Sequence, residues 1–248
     1  FFSFITFASL LYIIGFIFIN GISALSPEMF AWKYTTSNVS MMPAIITTFI
    51  VVFFALLIAA PIGVFTAFYL IEYADSDNKL INVVRVATDT LSGIPSIVYG
   101  LFGMLFFVLF LGFQYSLIAG ILTSVIMVLP VIIRSTEEAL LSVNVSLREG
   151  SFALGAGKLR TIFRVVLPVA MPGILSGVIL AVGRIVGETA ALMYTLGTST
   201  NLPTDAFQSG RTLALHMYVL SSEGMHVKES YATGVVLIIL VLIINAIS

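Results

Sequence analysis

Residues 117–168 read LIAGILTSVIMVLPVIIRSTEEALLSVNVSLREGSFALGAGKLRTIFRVVLP, and the composition of this stretch changes abruptly at Arg134. Residues 117–133 carry no charged side chain, whereas residues 134–167 hold eight. An uncharged apolar run of this length is typical of a helix in lipid, and a strongly charged run cannot follow it into the hydrocarbon. The stretch therefore predicts a membrane span followed by a polar loop.

The rest of the chain shares this apolar character. Of its 248 residues, 59% are hydrophobic and only 9% are charged, whereas soluble domains carry about 25% charged residues. This number of charged residues is too small for the water-exposed surface of a globular protein of this size. We therefore expect membrane lipid to surround part of the chain. The net charge of −1 favours no nucleic-acid partner. The absence of cysteine and the presence of only two histidines favour no metal site, disulfide or Cys nucleophile.

Six stretches are long and apolar enough to cross a bilayer, which needs roughly 20 residues. They are predicted at residues 1–22, 43–71, 94–113, 117–133 and 168–196, and from residue 231 to the end. The expected fold is an all-α integral membrane bundle of six transmembrane helices. We divide it into residues 1–40, the first span with an outer loop, and residues 41–248, a five-helix core with loop 134–167. The start at Phe1 lacks Met and a basic flank, so we expect a truncated start rather than a signal peptide.

Lysines and arginines are unevenly shared between the two sides of this topology. Segments 72–92 and 134–167 fall on one side and hold seven of them, whereas segments 23–42 and 197–229 hold three. Positively charged loops stay on the cytoplasmic side. We therefore expect the first two segments and both termini to be cytoplasmic, and the other two segments to face outward. We also expect segment 72–92 to contain a mildly acidic, solvated loop formed by Glu72, Asp75, Asp77 and Asp89.

The charged loop contains two short predicted helices. Residues 147–154 predict an amphipathic helix that Gly155 ends, because glycine readily adopts the left-handed cap conformation. Residues 158–166 predict a second helix leading into the fifth span. A rigid element of this kind suits a groove in another protein, although a solvated loop with interfacial helices explains the pattern equally well.

This loop resembles the cytoplasmic signature of bacterial ABC importer permeases, which reads Glu-Ala-Ala, three residues, Gly, nine residues and Ile-x-Leu-Pro. Here the pattern is Glu149-Gly150-Ser151, then Gly155, then VVLP at residues 165–168. In that family the loop is a coupling helix that docks into the ATP-binding subunit. The resemblance implies ATPase docking by Glu149, Gly150, Ser151, Ala153, Leu154, Gly155 and Ala156. The chain has no P-loop motif, so we expect no cofactor and no enzyme activity in it, with ATP and Mg bound by the partner ATPase.

The fifth predicted span carries two ionisable residues, Arg184 and Glu188, which are costly in lipid. They are four residues apart, so we expect them on one helical face around mid-membrane. One interpretation is an intrahelical ion pair that stabilises subunit packing. The other is an anion site on a translocation path, because a guanidinium fork matches a tetrahedral oxyanion. Gly183 and Gly187 form a small-residue pair that lets another backbone approach.

Three further stretches, residues 174–191, 91–100 and 210–218, resemble the permeases of high-affinity phosphate importers, and the last favours the PstA type over the PstC type. The resemblance implies a type I ABC importer permease in a bacterial or archaeal cytoplasmic membrane. It also implies three kinds of partner: a second related permease, an ATP-binding subunit dimer and an external phosphate-binding protein. The implied substrate pathway holds Arg184, Glu188, Arg211, Thr189, Ser92 and Ser96.

The function expected from this resemblance is a permease subunit that forms half of the pathway of an ATP-driven phosphate importer. Arg211 would then lie at the outer mouth of the pathway, although a solvated loop arginine is the alternative. Two other functions stay open. One is a permease for another oxyanion, such as molybdate or sulfate, and the other is an autonomous secondary transporter.

Overall fold

The computed structural model describes residues 2–74 and 79–247, and every regular element among them is helical. The α-helices are α1 (Phe2–Ile22), α2 (Met42–Phe68), α3 (Lys79–Ser92), α4 (Ser96–Gly103), α5 (Leu117–Leu141), α6 (Val145–Ala153), α7 (Lys158–Thr161), α8 (Leu167–Val186), α9 (Ala190–Met193), α10 (Leu213–Glu223) and α11 (Val227–Ile247). Wider π-helical turns at Tyr69–Tyr73, Met104–Phe110 and Ile162–Val166 extend α2 and α4 and join α7 to α8. The predicted all-α class is confirmed.

Within residues 2–74 and 79–247, five helical segments are long and apolar enough to cross a membrane. They are Phe2–Ile22, Met42–Tyr73, Leu117–Leu141, Lys158–Val186 and Val227–Ala246. A sixth span is formed by Ile81–Ser92 and Ser96–Phe110 if this pair, which is bent by 107°, is counted as one. The described part of the chain therefore agrees with the predicted six-span bundle, and one of its spans is sharply bent.

The segment before that bend is more ordered than the sequence predicts. Residues 72–92 are expected to be an acidic, solvated loop, but most of them form the amphipathic helix α3. Ile81 is buried in an apolar cluster with residues of α5 and α8. An amphipathic helix buries only one stripe of side chains and exposes the rest. The charged residues on the exposed side give this segment the composition of a loop, so composition alone does not reveal the helix.

The fifth span differs from its predicted bounds at both ends. The sequence predicts one span over residues 168–196, but the helical segment starts at Lys158 and ends at Val186. Gly187 follows as the C-terminal cap, and a separate short helix, α9, comes after it. Apolar composition continues across the break, so hydropathy alone does not reveal it.

The core of the bundle forms where α5 packs against both α2 and α8. Small residues bring these helices close together. A Cβ placed on Gly63 of α2 would lie 2.7 Å from the side chain of Ile132 in α5, and one on Gly173 of α8 would lie 2.7 Å from that of Ala139. The outermost helix, α1, packs against α11. The predicted division at residue 40 stays a prediction.

The polar segments gather at two opposite ends of the bundle. At the first, the basic end, segment 134–167 contacts residues 72–92 through the ion pairs of Arg148 with Glu72 and of Arg85 with Glu137. At the other end, Arg211 lies against Tyr34. The structure therefore groups the loops as the predicted topology does.

Candidate functional site

The break between α8 and α9 holds two of the predicted pathway residues. Arg184 lies in the last turn of α8, and Gly187 ends that helix. Oε1 of Glu188 then accepts a hydrogen bond of 2.9 Å from the backbone amide of Ala191 in α9. This bond satisfies an amide donor near the start of a helix, and Glu188 is only 7% exposed.

The structure therefore does not place Arg184 and Glu188 on one helical face. Glu188 lies beyond the end of α8 and is engaged with α9, and the two side chains form no ion pair in the described part of the chain. The interpretation as an intrahelical ion pair is wrong for this reason. Within residues 2–74 and 79–247, the Arg184 guanidinium has no hydrogen-bond or ion-pair partner, and its charge lies near the Tyr99 hydroxyl.

The helical face around Gly183 is open. A Cβ placed on Gly183 would meet no atom of the described chain within 4 Å, and one on Gly187 would contact the Gly183 carbonyl oxygen at 3.5 Å. The close approach occurs elsewhere, where Ala191 of α9 packs on Gly100 of α4, with 2.7 Å between the Ala191 Cα and a Cβ placed on Gly100. The face of α8 that the sequence assigns to close packing is thus available to another subunit.

Thr189, the next predicted pathway residue, lines a cavity of about 580 Å³ beside α9, α10 and α11. Several of the lining side chains carry hydroxyl groups: Thr189, Tyr194, Tyr218, Ser221, Ser230 and Tyr231. Ile97 lines the same cavity. Ser96, another predicted pathway residue, is the neighbour of Ile97 in the chain. Ser92 instead ends α3, where its hydroxyl donates a hydrogen bond of 2.7 Å to the Asp89 carbonyl.

Arg211 lies at the end opposite the basic end and is 4% exposed, so the alternative of a solvated loop arginine is wrong. Its guanidinium carbon lies 4.9 Å from the centre of the Tyr34 ring, within the range of a cation–π contact. Its Nη2 has no hydrogen-bond partner among the described residues. Burial lowers the pKa of Arg211 below its usual value.

His216 belongs to the same group, although the sequence analysis gives it no role. Its ring lies edge-on to Tyr34, with 6.2 Å between the ring centres. Both ring nitrogens, and the hydroxyl of Thr212, are buried and make no hydrogen bond of good geometry in the described chain, although the Val39 backbone lies close enough to His216 to oppose part of the fall in its pKa. Burial, and then the positive charge of Arg211, lower the pKa of His216 to about 3. We call Tyr34, Arg211, Thr212 and His216 the Arg211 cluster.

One sequence signal points to His216 in retrospect. Thr212 is the N-terminal cap of α10, and His216 is four residues further on, so the two share a helical face directly after Arg211. Tyr34 has no comparable signal, because it reaches the cluster from a distant segment.

Helix α6 exposes most of the residues predicted to dock an ATPase. It buries no side chain in this chain, and Leu154, just past its end, is 90% exposed. Gly155 follows with φ of +80°, which agrees with its predicted role in ending the helix. Ser151 differs, because its hydroxyl lies 2.8 Å from the Thr161 hydroxyl. Glu149, Gly150 and Ala153 are exposed, whereas Ser151 and Ala156 are partly shielded.

Comparison with known proteins identifies the family. Residues 59–248 match the family described as binding-protein-dependent transport system inner membrane component. A probable ABC transporter permease protein of Bacillus subtilis, YqgI, is 36% identical over 96% of this chain and 87% of its own length. The phosphate transport system permease protein PstA 1 of Mycobacterium tuberculosis is 39% identical over 77% of this chain, and the match spans 63% of that relative. The predicted likeness to PstA-type permeases is confirmed.

Solved structures share the fold. The MetNI methionine ABC transporter, in an inward-facing conformation, aligns with a TM-score of 0.63 and 24% identity over 82% of this chain and 88% of that one. A bacterial ABC transporter involved in alginate import aligns with a TM-score of 0.63 and 17% identity over 99% and 95% of the two chains. The chain therefore belongs to the binding-protein-dependent transport system inner membrane components, as a multi-pass transmembrane permease subunit.

Proposed function

We propose that this permease subunit belongs to an ATP-driven phosphate importer and forms half of its translocation pathway. The observation that carries the proposal is the Arg184 guanidinium beside a helix break, which has no hydrogen-bond or ion-pair partner among residues 2–74 and 79–247. A charged side chain in the last turn of an apolar spanning helix is costly unless it has a partner or faces a polar route. Its planar fork of donors matches a tetrahedral oxyanion. The names of the PstA relatives favour phosphate as that anion.

The remaining pathway residues have different proposed roles. The Arg211 cluster receives phosphate at the outer mouth, because it holds buried polar groups without hydrogen-bond partners among the residues that the structure describes. Thr189 and its neighbours provide hydroxyl groups along the way. Glu188 holds the break in shape through its bond to Ala191, so its role is to position Arg184 rather than to pair with it. Ser92 and Ser96 stay predicted pathway residues at the bend between α3 and α4.

Each proposed partner is assigned to a surface of the chain. The ATPase dimer docks on α6 and binds ATP and Mg, the second related permease covers the open face at Gly183, and the phosphate-binding protein meets the end that holds Arg211. The basic end carries most of the lysines and arginines of the loops. By the positive-inside rule this end faces the cytoplasm, so both termini are cytoplasmic and the protein lies in a bacterial or archaeal inner membrane.

The substrate is tested with the complete importer in proteoliposomes that contain ATP. We expect the binding protein loaded with phosphate to stimulate ATP hydrolysis and uptake, and expect sulfate and molybdate to stimulate neither. Stimulation by sulfate or molybdate instead of phosphate would identify a permease for another oxyanion. Uptake by this chain alone, without the ATPase, would identify an autonomous transporter and contradict the proposal.

The docking surface is tested with Leu154→Asp, with Leu154→Met as the matched control. Leu154 is almost fully exposed, so neither change disturbs the fold of this chain, and only the aspartate introduces a charge into an apolar contact. We expect Leu154→Asp to lose the ATPase during purification and Leu154→Met to retain it. Gly155→Leu should also weaken docking, because leucine is strained at φ of +80°. Retention of the ATPase by Leu154→Asp would count against docking at α6.

A further inference from the structure

No apolar cluster of the described residues includes helix α6. The apolar cluster at the basic end includes Leu140, Val143 and Ile162, which come before and after α6 in the chain, but no residue of α6 itself. Its own large apolar side chains, Val145, Leu147 and Phe152, are exposed. A helix that must transmit force to the bundle therefore needs a different attachment.

Arg148 provides that attachment. Its Nε and Nη2 lie 3.2 and 3.1 Å from Oε1 of Glu72, at the end of the π-helical extension of α2. Nη1 donates a hydrogen bond of 3.0 Å to the Val143 carbonyl, and Nη2 donates one of 2.9 Å to the Leu140 carbonyl of α5. One side chain on α6 thus joins the ends of two spanning helices.

Glu72 is therefore not the solvated loop residue that the sequence predicts. The side chains of Arg148 and Glu72 are only 17% and 10% exposed, so water competes weakly for their contact. Of the other acidic residues expected in that loop, Asp89 is exposed and pairs with Arg134. Asp75 and Asp77 lie outside the described residues.

Helix α6 consequently has two distinct faces. Arg148 and Ser151 are three residues apart, which places them on one face, and both make contacts with the rest of the chain: Arg148 with Glu72, Ser151 with Thr161. They are also the only α6 residues that the described chain partly shields. The other face, which includes Glu149 and Phe152, is exposed and carries the proposed docking surface.

We propose that the Glu72–Arg148 ion pair is the link through which α6 moves α2 and α5, and that Arg148 is a positioning residue for coupling ATP hydrolysis to transport. This inference rests on the proposed docking of the ATPase at α6. Charge-assisted bonds that use three nitrogens of one guanidinium fix direction as well as distance. Movement of α6 is therefore passed to both helices rather than absorbed by an exposed loop.

The main test is the double variant Glu72→Met/Arg148→Met in the complete importer. Removal of both charges avoids leaving one of them buried without a partner, so we expect the ATPase to co-purify at the wild-type ratio and to hydrolyse ATP. We expect the amount of radiolabelled phosphate transported per ATP to fall about tenfold or more, a size typical of coupling between two sites. The matched control, Asp89→Met/Arg134→Met, removes an exposed ion pair at the same end and should keep the wild-type ratio.

A second measurement separates coupling from folding. The chain contains no cysteine, so Glu72→Cys/Arg148→Cys introduces a unique pair of thiols. We expect this variant to be uncoupled, and a short bifunctional thiol reagent that spans the former ion pair to restore transport per ATP. A linked variant that stays uncoupled would overturn the inference, because the connection would then be present without its effect.

Other outcomes also decide the question. Wild-type transport per ATP in Glu72→Met/Arg148→Met would overturn the inference, and so would loss of the ATPase from that variant, because Arg148 would then serve docking or folding. The proposed docking fails separately, if Leu154→Asp keeps the ATPase. The proposed substrate fails separately as well, if the wild-type complex does not transport phosphate.

Discussion

Two arginines at opposite ends of this bundle, one largely shielded and one fully buried, have opposite surroundings. Arg148, at the basic end, donates to the Glu72 carboxylate and to two backbone carbonyls. Arg211, at the other end, lies over the Tyr34 ring, and its Nη2 has no hydrogen-bond partner in the described chain. The two side chains carry the same charge and differ in how many of their donors are satisfied.

This difference in hydrogen bonding separates an arginine that connects helices from one that is able to bind an anion. A buried donor without a partner costs about 1–3 kcal/mol, and its retention in a folded protein needs a reason. Arg148 donates its hydrogen bonds to groups of its own chain, so it is suited to hold helices together. In the described part of the chain, Nη2 of Arg211 has no hydrogen-bond partner and lies in one cluster with His216 and the hydroxyl of Thr212, so this cluster is suited to receive an anion. Arg184, which also has no partner in the described residues, belongs with Arg211 in this respect.

Among the variants of the Arg211 cluster, Arg211→Gln should reduce transport the most. Loss of a charge-assisted hydrogen bond to the anion removes ~1.5–3 kcal/mol, so we expect phosphate uptake to fall by at least about tenfold. The measurement is the initial rate of uptake in proteoliposomes that hold the complete importer. Lys33→Gln is the matched control, because Lys33 is an exposed cation at the same end. Equal uptake by both variants would show that the Arg211 cluster stabilises the fold and does not bind the transported anion.

His216→Leu sharpens the comparison, because it should separate transport from stability. Leucine removes two buried nitrogens that make no hydrogen bond of good geometry among the described residues, so we expect the melting temperature in detergent at pH 7 to be unchanged or higher. Uptake should still fall, because the anion loses a polar neighbour. A lower melting temperature would show that hidden partners satisfy this histidine and would contradict the account of the cluster.

The pH dependence of stability tests the same histidine. Its folded-state pKa of about 3 lies below the unfolded value of about 6.5. Between these two pH values His216 is protonated in the unfolded chain and neutral in the folded chain. Stability should therefore fall as the pH is lowered from about 6.5 towards 3, by up to ~1.4 kcal/mol per pH unit. Melting temperatures measured across this range should show a shallower slope in His216→Leu than in the wild type. Identical slopes would contradict the assignment.

The smallest effect is expected for Arg134→Gln. Arg134 lies 2.9 Å from Asp89, but the two side chains are 54% and 64% exposed. Exposed ion pairs contribute about 0.2–1 kcal/mol, so the melting temperature should change little, and less than in the single variant Arg148→Met. A larger loss of stability in Arg134→Gln would break the distinction between buried and exposed pairs at this end.

The sequence predicted those features that depend on local composition. Uncharged apolar runs located the spans, and the spacing from Glu149 to Pro168 located the loop that we propose for docking and indicated the family. Glycine at position 155 predicted the end of α6, because its backbone preference is a local property.

Features that depend on distant partners could not be predicted. The contact between Glu72 and Arg148 joins residues far apart in the chain, and no local pattern distinguishes Glu72 from a solvated acid. The break at Gly187 lies inside an apolar stretch, so hydropathy continues across it, and the bond from Glu188 to Ala191 becomes visible only in three dimensions. The burial of Arg211 against Tyr34 was missed for the same reason.

The most direct test of the account compares wild-type and Arg184→Gln importers for uptake of radiolabelled phosphate at matched levels of assembled complex. We expect Arg184→Gln to assemble with its partners but not to take up phosphate, because the cation at the break between α8 and α9 is lost. Uptake by Arg184→Gln at the wild-type rate would contradict it.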